Sequence, residues 1–201
     1  MKVFGDIASG NCYKLKLVLE QLAIPHEWHH VNILDGETKR PEFLRMNPNG
    51  KIPVLVLDDG ETLSESNAII DYLAEGSELY PSNRMTRARV LQWQFFEQYS
   101  HEPYIAVARY INKYLGLPDS RRQEYESKQA GGIKALQVME QQLKRTSYLV
   151  GECYTVADIS LYAYTHVAEE GGFDLSAFPA VADWLLRVKA QPGHVTMEQF
   201  Q

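Results

Sequence analysis

Hydrogen-bond donors and a thiol crowd into one short stretch of this chain, Ser9-Gly10-Asn11-Cys12-Tyr13-Lys14. It follows a short apolar run over 2–6 and opens a segment with Leu15, Val18, Leu19 and Leu22 at helical spacing, which predicts strand, turn, helix. The Ser9 hydroxyl and the Asn11 carboxamide therefore stand at the positive end of a helix, where a negative charge is favoured. Both residue types are also ordinary helix caps. A second anion site is predicted at Glu65-Ser66, where a strand gives way to a helix and backbone N–H groups lack intrahelical acceptors. Capping is again the competing role. Ile52-Pro53 precedes an apolar run, and X-Pro is the one linkage at which a cis peptide is inexpensive, about 0.5–1 kcal/mol above trans.

Other reactive residue types point to less. Cys12 and Cys153 lie far apart, without CxxC or Cys/His spacing, and read as two reduced thiols. His26, His29 and His30 accompany Glu27, but alternation along a strand sends neighbours to opposite faces and no second cluster completes a shell, so no metal is expected. Thr155-Val156-Ala157-Asp158 is a capping box, assigned to stability.

The elements that must position these residues follow from patterning. After the first strand and helix, Glu27 to Ile33 alternates as a second strand, and Pro41-Glu42-Phe43-Leu44 starts a short helix. Val54 to Leu57 and Glu61 to Leu63 flank the hairpin signal Asp58-Asp59-Gly60, and Ala68, Ile69, Tyr72 and Leu73 mark an amphipathic helix. The order βαβαββα implies a mixed sheet, since it holds both a parallel crossover and a hairpin. Beyond 76 every period is helical, with helices near 86–115, 121–144, 156–169 and 178–190. The predicted fold class is α/β plus all-α: a thioredoxin-like domain over 1–76, a linker over 77–85 and an all-helical domain over 86–201.

Composition narrows the classes. Twenty basic residues against 26 acidic give a net charge of −6, and no stretch concentrates Lys or Arg, so nucleic acid is not an expected partner. No run approaches the roughly 20 apolar residues of a membrane span, and Met1-Lys2 leads straight into Val3-Phe4-Gly5 with no secretory h-region, so a cytoplasmic location is expected.

The segment Asn47-Pro48-Asn49-Gly50-Lys51-Ile52-Pro53-Val54-Leu55, then Leu57-Asp58-Asp59-Gly60, Leu63, Glu65-Ser66, Ala68-Ile69 and Tyr72-Leu73, resembles the glutathione-binding half of the cytosolic glutathione transferases. Gly151 with Thr155-Val156-Ala157-Asp158 extends the likeness over almost the whole chain. The resemblance implies glutathione as co-substrate. It implies a cis Ile52-Pro53 bond that lets the Ile52 backbone pair with the cysteinyl portion, Ser66 at the γ-glutamyl carboxylate and Glu65 at the γ-glutamyl ammonium. Lys51 reaches the glycyl carboxylate in this reading, although a lone loop lysine is as readily just solvated.

For the thiol itself, Ser9 matches the activating hydroxyl of the zeta-like and theta-like serine classes, and Ser9 with Asn11 resembles the Thr/Asn pair of bacterial nu-class enzymes. A rival chemistry, a mixed disulfide on the protein as in the omega-like classes, would need a cysteine where Ser9 stands; Cys12 lies three residues later, inside the helix. Tyr13 is off the strand on which a tyrosine of the mammalian type is expected. A small hydrophobic electrophile is expected in a pocket between the domains, with Tyr104 and Arg109 as its candidates; Tyr99 and His101 lie on the same helix, where aromatics are more often core. The resemblance further implies a homodimer and a role in detoxification. Two other functions stay open: reduction of disulfides or peroxides by the same thiolate, and a non-catalytic glutathione-binding scaffold.

Overall fold

A computed structural model describes residues 1–197 and divides the chain into two compact units. The first comprises Met1–Ser77 with the segment that begins at Pro192, and the second is Glu78–Gln191. In the first unit β1 (Lys2–Gly5), α1 (Gly10–Gln21), β2 (Glu27–His30), α2 (Pro41–Met46), β3 (Val54–Val56), β4 (Thr62–Ser64) and α3 (Ser66–Ala74) follow in the predicted βαβαββα order. The sheet runs β2-β1-β3-β4; β1 and β2 are parallel, while β3 is antiparallel to both β1 and β4. Its register sets Val3 opposite Trp28 on one side and Leu55 on the other.

Burial explains why α1 takes its place. Cys12, Tyr13, Leu15, Leu17, Val18 and Leu19 are all withdrawn from water, and each large aliphatic side chain so buried is worth roughly 1.5–3 kcal/mol. Gly5 permits the close approach of this helix to β1, because a Cβ there would stand 2.7 Å from the Cys12 sulfur. A second cluster under the sheet joins Val31, Phe43 and Val54, with Phe4, Met46, Ile52 and Val56 packed against it. The β3–β4 hairpin turns at Gly60, whose φ of +91° suits a residue without Cβ.

The second unit is helical throughout its named elements: α4 (Arg84–Phe96), α5 (Glu102–Arg109), α6 (Arg122–Leu143), α7 (Val156–Thr165) and α8 (Pro179–Lys189). The long helix read over 86–115 is wound as α4 and α5 with π-type segments after each, Glu97–His101 and Tyr110–Tyr114. Every residue of α7 is buried, so it forms the core around which its neighbours pack. Gly131 and Gly132, in the middle of α6, leave room for the rings of Tyr104 and Phe173, which a side chain at either position would strike. Among the described residues no helix is long and apolar enough to cross a membrane.

Residues 192–197, which the sequence reading assigned to the helical domain, group instead with the first unit. The Tyr13 hydroxyl donates to the Val195 carbonyl at 2.6 Å, and Gly193 lies so near Gln21 that an added Cβ would stand 2.9 Å from the Gln21 Cα.

Candidate functional site

Ser9 is the N-cap of α1, with extended φ and ψ of −79° and 125°, yet its hydroxyl makes no capping bond to the helix. The loop that delivers it is held by Asp6, whose carboxylate accepts from the Ala8 N–H at 2.9 Å and whose carbonyl accepts from the Ser9 N–H at 3.0 Å. The hydroxyl lies beside the Cys12 thiol. Burial pushes that thiol up to about 12, outweighing the hydrogen bonds from Ser9 and from the backbone at Asp6 and the nearby Lys14 charge. A thiol held so far from ionisation has neither the exposure nor the charge for nucleophilic chemistry.

Asn11 links two helix starts. Its Oδ1 accepts from the Ser66 hydroxyl at 3.0 Å and from the Lys14 ammonium at 2.8 Å, while the same ammonium stands 3.3 Å from the Ser66 oxygen. The structure thereby brings together Asn11, read as a thiol donor, and Ser66, read as a carboxylate ligand, although 55 positions separate them. Lys14 completes the triangle with no exposed surface at all. Two helix N-termini and an ammonium at one place make a positive corner in a chain of net charge −6.

Glu65 precedes α3 with φ +69° and ψ 110°, a conformation that costs a non-glycine residue on the order of 1–3 kcal/mol. It is over-determined from both sides: Ser64 pairs with Val54 in the sheet, and the Glu65 carbonyl accepts the Ile69 N–H at 3.0 Å to start α3. The result is an exposed carboxylate directly before the buried Ser66.

The Ile52-Pro53 bond is cis. Ile52 packs on the Val31, Phe43 and Val54 cluster, and its backbone precedes the ladder, which starts at Val54. Lys51 is exposed; its carbonyl accepts from the Asn47 amide at 2.7 Å, and Lys39 reaches the same loop, 3.3 Å from the Gly50 carbonyl. Sequence reasoning missed both Lys39 and Lys14. The i to i+3 spacing of Asn11 and Lys14 on a helix was the available signal for the second.

In the helical unit Tyr104 and Arg109 are not brought together. Tyr104 lines a pocket of about 140 Å³ with Phe96, Ser100, Gly131, Lys134, Ala135 and Val138. Arg109 is absent from that lining; it is buried with its Nε donating to Glu170 at 2.7 Å, its guanidinium 5.2 Å from the Tyr114 ring. Burial pushes the Glu170 carboxyl up, but the hydrogen bonds and charges of Arg109 and then Lys113 outweigh it and hold the group below its ordinary value. His29 stacks on Phe4 and meets Glu27 at 3.0 Å, while His26 bonds the Ile24 carbonyl. Among the described residues no group of three or more His, Cys, Asp or Glu is placed to hold a metal ion.

Known proteins resemble this chain in sequence and fold. Residues 8–75 match the family description "Glutathione S-transferase, N-terminal domain" and residues 88–192 match "Glutathione S-transferase, C-terminal domain". A glutathione S-transferase crystal structure from Pseudomonas fluorescens [Pf-5] is 62% identical, with a TM-score of 0.97 and 98% of each chain covered. The Disulfide-bond oxidoreductase YfcG of Escherichia coli (strain K12) is 33% identical over 189 residues, 90% of this chain and 87% of that protein. The glutathione transferase URE2P6 from Phanerochaete chrysosporium, solved in complex with oxidized glutathione, is 28% identical with a TM-score of 0.85 over 96% of this chain and 91% of that one.

Proposed function

The chain belongs to the glutathione S-transferase family, and from that premise we propose that it binds glutathione on the first unit and activates its thiol for addition to a small hydrophobic electrophile. The observation that carries this reading is the meeting of Asn11, Ser66 and Lys14 at the starts of α1 and α3, next to Ser9, whose hydroxyl makes no capping bond. The Ser66 N–H takes the γ-glutamyl carboxylate at the α3 N-terminus, Glu65 takes the ammonium, and the Ile52 backbone pairs with the cysteinyl portion. Lys51 serves the glycyl carboxylate. The Ser9 hydroxyl donates to the sulfur, assisted by the Asn11 amide; the thiol proton passes to water, and the thiolate forms a C–S bond as the electrophile's activated π bond opens, its electron pair then taking a proton from water. Each unit of thiol depression requires about 1.4 kcal/mol, within the reach of one or two charge-assisted hydrogen bonds.

Tyr104 and its pocket are the electrophile-facing part of this reading, and Arg109, committed to Glu170, serves the fold instead. A cytoplasmic homodimer with a role in detoxification accords with the family. A second reading, reduction of a disulfide with two glutathione thiols becoming one glutathione disulfide, is favoured by Asn11 and by the likeness to the E. coli oxidoreductase.

The test is a pH titration of thiolate absorbance for bound glutathione in the parent and in Ser9→Ala. The parent should depress the thiol below about 8.5, and Ser9→Ala should raise it by one to two units, a roughly 10- to 100-fold loss of thiolate. Ser66→Ala should weaken glutathione binding by about tenfold, some 1.4 kcal/mol. Binding without any depression in the parent would replace the enzyme by a carrier.

A further inference from the structure

Lys14 sits where a lysine is costly. A fully buried ammonium must be hydrogen-bonded to be tolerated, and an apolar side chain of similar length would fill the same helical position without that penalty. What the charge supplies is a direction for protons. The Ser66 hydroxyl is both donor and acceptor, so by itself it would satisfy either face of the Asn11 amide. An ammonium has three donors and no acceptor, and it cannot face an NH2 group. With Lys14 at 2.8 Å, the Asn11 oxygen must turn inward. The same ammonium, 3.3 Å from the Ser66 oxygen, claims a lone pair there and leaves the hydroxyl proton to point at Asn11.

We propose that Lys14 is the positioning residue of the glutathione site, a donor-only group that locks the Asn11 amide with its oxygen toward Ser66 and its NH2 on the opposite side, presented to the thiol. The inference rests on the function proposed above. Its chemistry is one of sign: an amide turned the other way would offer its carbonyl oxygen to the sulfur and repel the thiolate it should stabilise. Lys14 touches neither sulfur nor electrophile and acts through its neighbour.

The experiment titrates the thiolate absorbance of bound glutathione in Lys14→Met, Lys14→Gln, Lys14→Arg, Asn11→Ala and the Lys14→Met/Asn11→Ala pair. Lys14→Met should lose about tenfold in thiolate at fixed pH, as should Asn11→Ala, and the double variant should lose no more than either alone. Arginine, also donor-only, should restore the parent titration, whereas glutamine, whose amide both donates and accepts, should not. If Lys14→Met does not fold, the glutamine variant decides. A parent-like thiol in Lys14→Met or Lys14→Gln while Asn11→Ala is impaired would reduce Lys14 to packing and overturn the proposal. Additive losses in the double variant, or an arginine variant as impaired as methionine, would overturn it too. A parent protein that fails to depress the thiol at all would instead sink the functional reading on which it stands.

Discussion

Two cysteines show how far environment separates identical side chains. Cys12 is buried, its thiol pushed up to about 12 chiefly by that burial, while Cys153 is exposed. At pH 8 Cys12 is held in its protonated, unreactive form. Iodoacetamide should therefore alkylate Cys153 in the native protein and leave Cys12 unlabelled until denaturant is added, as peptide mass mapping would show. Labelling of both at similar rates, or a glutathione adduct on Cys12, would revive the mixed-disulfide chemistry. The position of Cys12 three residues into α1 was legible because helical periodicity alone sends it inward. Lys14 was not legible. A lysine on a short helix is ordinarily solvated, and only the arrival of Ser66 from 52 positions downstream turns it into an interior group. The ion pair of Arg109 was hidden for the same reason, its partner Glu170 being 61 positions away.

Within the helical unit one carboxylate organises three elements. The Asp158 Oδ2 accepts from the Thr155 N–H at 2.9 Å to close the capping box of α7, and Oδ1 accepts from the Leu149 N–H and the Trp184 indole of α8, each at 2.9 Å. The box itself was readable, since it spans four consecutive residues; the bonds to Leu149 and Trp184 depend on tertiary placement. Thr155→Ala should cost about 1 kcal/mol and Asp158→Asn about 2–4 kcal/mol, because an asparagine turns an NH2 toward buried donors; urea denaturation would measure both. Burial holds the Asp158 carboxyl at about 6 against the ordinary 3.8, despite the donations from Leu149, Trp184 and both the N–H and the hydroxyl of Thr155. Between these values the folded state binds the extra proton, so this group's contribution to stability rises as pH falls from about 6 toward 4 and is absent above that window. Asp158→Asn should flatten that slope in a pH series of urea midpoints; an unchanged slope would acquit the residue. The π-wound segments after α4 and α5 were hidden, for periodicity over a long helix does not register one extra residue in a turn.

At the scale of the molecule, the division into two units was legible from the loss of alternating patterns after the third helix, but the destination of 192–197 was not. That segment has no periodicity, and what claims it is one hydroxyl on α1, Tyr13, donating to Val195. Tyr13→Phe should lower stability by roughly 0.5–1.5 kcal/mol by removing its hydrogen bond to the half-buried Val195 carbonyl, and should leave the thiol titration of bound glutathione unaltered. A shifted titration would give Tyr13 a part in the chemistry that its bond to the chain's distal segment argues against. The first unit is thus discontinuous in sequence, with the whole of Glu78–Gln191 inserted between its two parts. During synthesis the Val195 acceptor of Tyr13 can follow only after the whole of Glu78–Gln191 has been translated. The unit that begins first is the one completed last, and the bond from Tyr13 to Val195 certifies that the helical insert has already been made.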